Sequence, residues 1–265
     1  MLFGMPTLIE LNSLDDNAAL CRKLGLDFIE LNMNMPEYRV DTIHAARFRE
    51  LANAYGIFYT IHLDENLNPC DFNNRIASAY TETVLQSILM AKQLSVSVLN
   101  MHLPAGVYFT LPDTKVFLFE KYKLEYTQKL MAFRNACEAA VGNEDIKICI
   151  ENSSGYLLAP FLLESLDLLL ESPVFALTFD TGHNACTNFA DEPLIKNRMD
   201  RLHHMHIHDA IVSQKRDHLV LGTGELDLVR YLKLAKEQHS RCVLETKTAA
   251  GLCQSVAWLQ KKGYL

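Results

Sequence analysis

The sequence predicts an α/β fold, a (β/α)8 TIM barrel, on three observations. Short β-branched or aromatic runs recur along the 265 residues, each is followed by a longer stretch with helical spacing, and most of the runs end in a histidine or a carboxylate. Eight strand–helix units over about 250 residues are what a closed parallel barrel needs, and they predict one domain spanning residues 1–265. An open doubly wound sheet is the competing architecture. No Gly-rich phosphate fingerprint follows the first predicted strand, which speaks against it.

The elements follow in order. The short run PTLIEL predicts the first strand at Pro6–Leu11, with a helix at Asp15–Leu24. A second strand at Asp27–Leu31 leads to a helix at Thr42–Tyr55. The third, Ile57–His62, is β-branched and aromatic and precedes a helix at Arg75–Gln93. Ser97–His102 and a long helix at Lys115–Ala140 form the fourth unit, and Ile146–Glu151 with Phe161–Leu170 the fifth. Phe175–Asp180 is the sixth strand. His203–His208 and Arg241–Glu245 are the last two, followed by helices at Leu226–Glu237 and Ala249–Lys261, where Trp258 and Leu259 mark the packed face. The stretches Asn66–Cys70 and Leu103–Pro112 lie after the third and fourth strands, either as lids or as ordinary barrel loops.

Composition narrows the function. Apolar residues make up 49% and charged residues 22% of the chain, the balance of a globular protein with a large core. A net charge of -7 gives no general attraction for phosphate backbones or anionic lipid, so neither nucleic acid nor a membrane is an expected partner. No apolar run approaches the roughly 18 residues of a membrane span. The seven cysteines are odd in number, widely spaced and without a C-x-x-C pair, which fits reduced thiols in a cytoplasmic protein.

His62, His102, Glu151, Asp180, His206 with His208, and Glu245 end the predicted strands. In a closed parallel barrel all carboxyl ends meet on one face, so these residues converge there. Several carboxylates brought together need a cation, and imidazoles mixed with carboxylates suit a divalent metal. Asp180 is thus a candidate ligand, while Gly182 allows the sharp turn that brings His183 back over the mouth. A helix N-cap is the alternative role for Asp180.

IENSSG (150–155), FDTGHN (179–184), HMHIHDA (204–210), HLVLGTGELDL (218–228) and LETK (244–247) resemble the motifs of the xylose-isomerase-like TIM barrels. That superfamily contains sugar and sugar-phosphate isomerases and epimerases as well as endonuclease IV. The resemblance implies a divalent metal (manganese, zinc, magnesium or cobalt) on Glu151, Asp180, His206 and Glu245. His206 is preferred to His208 because HIHD matches a pattern of histidine, two variable residues and an acidic residue, here Asp209. It also implies that Glu151 and Glu245 exchange protons with a carbon beside a metal-polarised carbonyl of a small sugar or sugar phosphate. His62, His102, His183 and His218 are candidate substrate-binding residues, and the resemblance also places them where endonuclease IV has its additional metal-ligating histidines. Lys215 and Arg216 either bind a substrate phosphate or carboxylate or belong to a solvated loop. A homo-oligomer is left open.

Two departures count against the ketose 3-epimerase subgroup: Leu157 stands where it has a substrate-binding glutamate, and Val212 where it has an arginine. An endonuclease IV-like phosphodiesterase is the rival reading. Its third-metal aspartate is replaced by Arg216, with Asp217 one residue out of register. A non-catalytic sugar-binding barrel ranks third, since both proton-transfer glutamates are present. Glu10 and Glu30 either line the mouth or form structural ion pairs, His44 and His239 are expected at the surface, and one of His203 and His204 must point away from the axis.

Overall fold

A computed structural model describes residues 1–265. Eight parallel strands close into a barrel: β1 (Leu2–Pro6), β2 (Phe28–Asn32), β3 (Phe58–His62), β4 (Val98–His102), β5 (Lys147–Glu151), β6 (Phe175–Asp180), β7 (Leu202–Ile207) and β8 (Arg241–Leu244), each paired with its chain neighbours and β8 with β1. Outside them lie α1 (Leu14–Lys23), α2 (Ala45–Tyr55), α3 (Asn74–Leu94), α4 (Lys123–Val141), α5 (Pro160–Leu170), α6 (Thr181–Cys186), α7 (Leu228–Glu237) and α8 (Ala249–Lys261). Ser13, Asn73, Asp180, Asp227 and Thr248 each cap a helix by accepting a backbone N–H at its first turn. No helix is long and apolar enough to cross a membrane.

Two predicted elements are corrected. The first strand is Leu2–Pro6, not Pro6–Leu11. Pro6 lacks the N–H that would carry the ladder onward, and TLIEL runs as a loop in which Leu8 is buried and Ile9 is 83% exposed. Gly4 sets this register: opposite Phe28 in β2, a Cβ there would lie 2.4 Å from the Phe28 ring. The helix predicted at Lys115–Ala140 begins only at Lys123 apart from one turn at Leu118–Lys121. Lys115–Phe117 is instead a strand, antiparallel to Tyr108–Thr110. Phe117 finds partners in Tyr108 across that pair and in Phe161 on α5, and Phe119 in the following turn stacks on Tyr126 of α4.

The barrel interior changes character along its axis. At the amino-terminal end Phe28 stacks on Phe58 with ring centroids 5.0 Å apart, Arg241 lies over the Phe58 ring, and Val98, Cys149 and Ala176 form a small apolar cluster. One layer higher the buried side chains are Glu30, Thr60, Asn100, Thr178 and His204. The carboxyl ends carry still more polar groups.

Candidate functional site

The strand ladder fixes which polar groups share a level. Leu177 pairs with Leu202 but Thr178 pairs with His204, so β7 holds one extra residue, His203, in a bulge. His203 is left half-buried on the outside, and His204, His206 and His208 follow at the two-residue period on the inside, all fully buried. Asp180 then stands directly beside His206.

His206 is the hub. Its Nδ1 lies 3.0 Å from Glu245 Oε2, 3.5 Å from Glu151 Oε2 and 3.9 Å from Asp180 Oδ2, so the four residues predicted from strands five to eight do meet. Glu151 is surrounded. Its Oε2 is 3.3 Å from His102 Nε2 and 3.6 Å from His62 Nε2 and accepts from Asn100 Nδ2 at 2.5 Å, while its Oε1 is 3.1 Å from His183 Nδ1. Asp180, His206 and Glu245 form one compact group, Glu151, Asp180 and His183 a second, and His62, His102 and Glu151 a third, each with donor atoms within 4.8 Å of one another. His206 Nδ1, His183 Nδ1 and Glu245 Oε2 are buried without a well-aligned hydrogen bond, as is His206 Nε2 on the far side of its ring. Orphaned nitrogen and oxygen donors facing one another between three carboxylates fit a divalent cation.

The helix N-cap foreseen as the alternative role of Asp180 is what FDTGHN builds. Asp180 Oδ1 caps α6 by accepting from His183 N at 2.6 Å, while Oδ2 faces inward, 2.9 Å from His208 Nε2. Gly182 is required by space, since a Cβ would fall 2.1 Å from the His208 ring. Asn152 locks this corner by donating to Asp180 O and accepting from Asp180 N.

A further group forms at the rim. His218 stacks on His208 at 4.2 Å, its own N–H donates to His208 Nδ1 at 2.8 Å, and its Nε2 lies 3.4 Å from Glu245 Oε1. Asp217 sits 2.8 Å from His218 Nδ1 and 3.9 Å from His183 Nε2. The offset of one residue in sequence therefore does not keep it from the cluster, because Asp217 and His218 lie on a short strand, Arg216–Leu219, paired antiparallel to Asp209–Ile211. Lys215 and Arg216 are exposed at the tip of that hairpin, and neither contacts the cluster. Asp209 is spent on structure: its carboxylate accepts from the backbone N–H groups of Ala210, Gly222, Gly224 and Leu226 and so folds the LGTGEL loop.

Other residues joined the site without being foreseen. Lys247 Nζ lies 2.8 Å from Glu245 Oε1. Asn100 faces Glu151 from β4, and its position two before His102 was the available signal. Glu30 is buried beneath His206 rather than at the mouth, and Glu10 is exposed, accepting from Ala249 N at the start of α8. His44 and His239 are exposed as expected.

Electrostatically the chain balances itself with imidazolium. Burial pushes the Glu151 carboxyl up, but charge on His206 and the close imidazoles of His102, His183 and His62 overcome it and hold the group well below the carboxylate range. Glu245 is held down in the same way by His206, His218 and Lys247. Burial works against a charged His62 and His183, yet Glu151 raises the first to about 9, and Asp180 with Glu151 raises the second to about 10.

Comparison with known proteins agrees with the fold. The model of the xylose isomerase-like TIM barrel family matches residues 18–262, and the chain belongs to that family. No curated protein sequence matches it. Among solved structures, a D-tagatose 3-epimerase-like protein superposes with a TM-score of 0.79 at 22% identity, covering 98% of this chain and 96% of that one. A 3-keto-D-glucoside 4-epimerase from E. coli gives 0.78 at 12% identity over 98% and 99%. A D-allulose 3-epimerase from Methylomonas sp., in complex with D-allulose, gives 0.73 at 16% identity over 99% and 96%. Two of these similar structures are sugar epimerases and the other is epimerase-like, and at such identities the likeness establishes the barrel.

Proposed function

We propose that this member of the xylose isomerase-like TIM barrels is a metal-dependent isomerase or epimerase of a sugar or sugar phosphate that works by proton transfer beside a carbonyl. One observation carries the reading: Glu151 from β5 and Glu245 from β8 approach the same nitrogen, His206 Nδ1, to 3.5 and 3.0 Å. Glu151, Asp180, His206 and Glu245 would hold the cation. When bound, it supplies Lewis acidity that polarises a substrate carbonyl.

The remaining chemistry belongs to the side chains. One glutamate takes the proton from the carbon next to the carbonyl. The other, across the cluster, returns a proton to the opposite face in an epimerisation, or to the adjacent carbon in an isomerisation. Each glutamate has two distinct oxygens for this: Glu245 Oε2 faces His206, while Oε1 faces His218 and Lys247. His62, His102, His183 and His218 surround the pair and would bind substrate hydroxyls, fixing which carbon lies between the carboxylates. Lys215 and Arg216, at the hairpin tip, are further from this task than Lys247.

The test is solvent exchange. Protein loaded with manganese or cobalt and incubated in deuterium oxide with ketoses, aldoses and their phosphates should place deuterium on the carbon that changes configuration or oxidation level. Turnover of an identified sugar without such exchange rules out the glutamate relay.

A specific observation favours a second reading, a metal-dependent phosphodiesterase. Asp217 beside His183 and His218, together with the group His62, His102 and Glu151, offers donors for more than one cation. Incision of an abasic duplex with added zinc or manganese decides between them. The acidic chain leads us to expect none, and nicking abolished by Glu151→Gln would reverse the ranking.

A further inference from the structure

We propose that Glu30, one layer below the cluster on β2, is a positioning residue that holds the His206 ring with Nε2 turned to the barrel floor and Nδ1 turned to the three carboxylates. The inference rests on the metal reading above and concerns a residue outside the ligand set.

Glu30 is 2% exposed, and its two oxygens are divided between two histidines of β7. Oε1 lies 2.9 Å from His206 Nε2, and Oε2 lies 2.8 Å from His204 Nε2 and accepts from Thr60 Oγ1 at 3.2 Å. A simple structural ion pair would need only His204. The second oxygen instead meets the one imidazole whose other nitrogen faces Glu245, Glu151 and Asp180. The faces of that ring are also constrained. His62 stacks on it at 5.8 Å and 24°, and His204 meets it edge-on at 5.3 Å and 75°. Packing thus limits the ring's tilt, while the choice of which nitrogen carries hydrogen falls to Glu30. A carboxylate accepts only, so it selects the form with hydrogen on Nε2 and a lone pair on Nδ1, the form that can bind a cation. It also makes that lone pair more basic.

Glu30→Gln separates this from bulk or packing. The amide has one accepting oxygen and one donating nitrogen, so it cannot accept from both His204 and His206. If the nitrogen faces His206, hydrogen moves to Nδ1 and the lone pair leaves the cluster. Zinc or cobalt titration of the metal-free protein should show affinity reduced by about 10–100-fold in the variant, with the circular dichroism spectrum retained. An unchanged affinity both in folded Glu30→Gln and in folded Glu30→Leu, which offers no acceptor in any orientation, overturns the proposal. Should either variant not fold, histidine 15N spectra of the unaltered, zinc-loaded protein decide. The proposal requires His206 to carry hydrogen on Nε2 and zinc on Nδ1, and the reverse assignment overturns it. Failure of the unaltered protein to bind either metal removes the metal reading as well, which distinguishes the two failures.

Discussion

The two ends of the barrel interior solve opposite problems with the same strands. At the floor Gly4 makes room for Phe28, Phe28 stacks on Phe58, and Val98, Cys149 and Ala176 fill the remaining space. At the mouth Glu151, Asp180 and Glu245 crowd around His206 with orphaned donors left buried. The floor gains by excluding water from apolar surface. The mouth gathers like charges that are tolerable only with protons or a cation among them. Stability and chemistry are therefore separable by position along the barrel axis, and substitutions at the two ends should differ in kind.

The largest effect is expected at the floor. Phe28→Ala removes a fully buried ring and leaves a cavity beside Phe58, so it should destabilise the fold by about 3–5 kcal/mol in a urea or thermal unfolding measurement. If the variant loses activity in proportion to its unfolded fraction alone, the separation holds. A specific loss of metal affinity in the folded fraction would break it.

Next comes the mouth. Glu245→Gln keeps shape but removes a proton acceptor, and it should lower turnover by about 10²-fold or more while the unfolding midpoint of the metal-free protein falls modestly, since the fold favours the charged form of Glu245. Its side chain is only 12% exposed, but glutamine has the same size and shape, so little packing is at stake. A variant that retains turnover would move the proton-transfer role elsewhere in the cluster.

The smallest effect is a pH dependence confined to the metal-free protein. His62 and His183 are raised to about 9 and about 10 in the fold, against about 6.5 in an unfolded chain. Their contribution to stability is full below the unfolded value and is lost as pH climbs through the folded values. Thermal melts of chelator-treated protein should therefore fall between pH 7 and about 10. Metal affinity should move the other way over the neutral range, because ligating histidines must release their protons. A metal-free melting temperature that is flat over this range would mean that the histidines do not carry the neutralising charge.

The contrast between the ends was only partly legible in the sequence. Histidines and carboxylates at successive strand ends identified the mouth, because a two-residue period and a strand boundary are local patterns. The polar middle layer was not legible. Glu30 could be read equally as a rim residue or an ion-pair member, and only its place opposite Thr60 and below His206 decides it. Nor was Asp217, since its approach to His218 and His183 depends on a hairpin pairing with Asp209–Ile211.

By itself the sequence determined the barrel and its carboxyl-terminal mouth, since apolar periodicity and the residues closing each run are written along the chain, while the choice of Glu151, Asp180, His206 and Glu245 among the strand-end residues came from the family resemblance. Tertiary structure decided what depends on register and space. Gly4 against Phe28 placed the first strand at Leu2–Pro6, and aromatic contacts with α5 took Lys115–Phe117 out of a helix. The bulge at His203 set which β7 side chains face the axis. The physical reason is common to all three: ladder pairing and close packing are agreements between segments distant in sequence, and no single segment carries both sides of one.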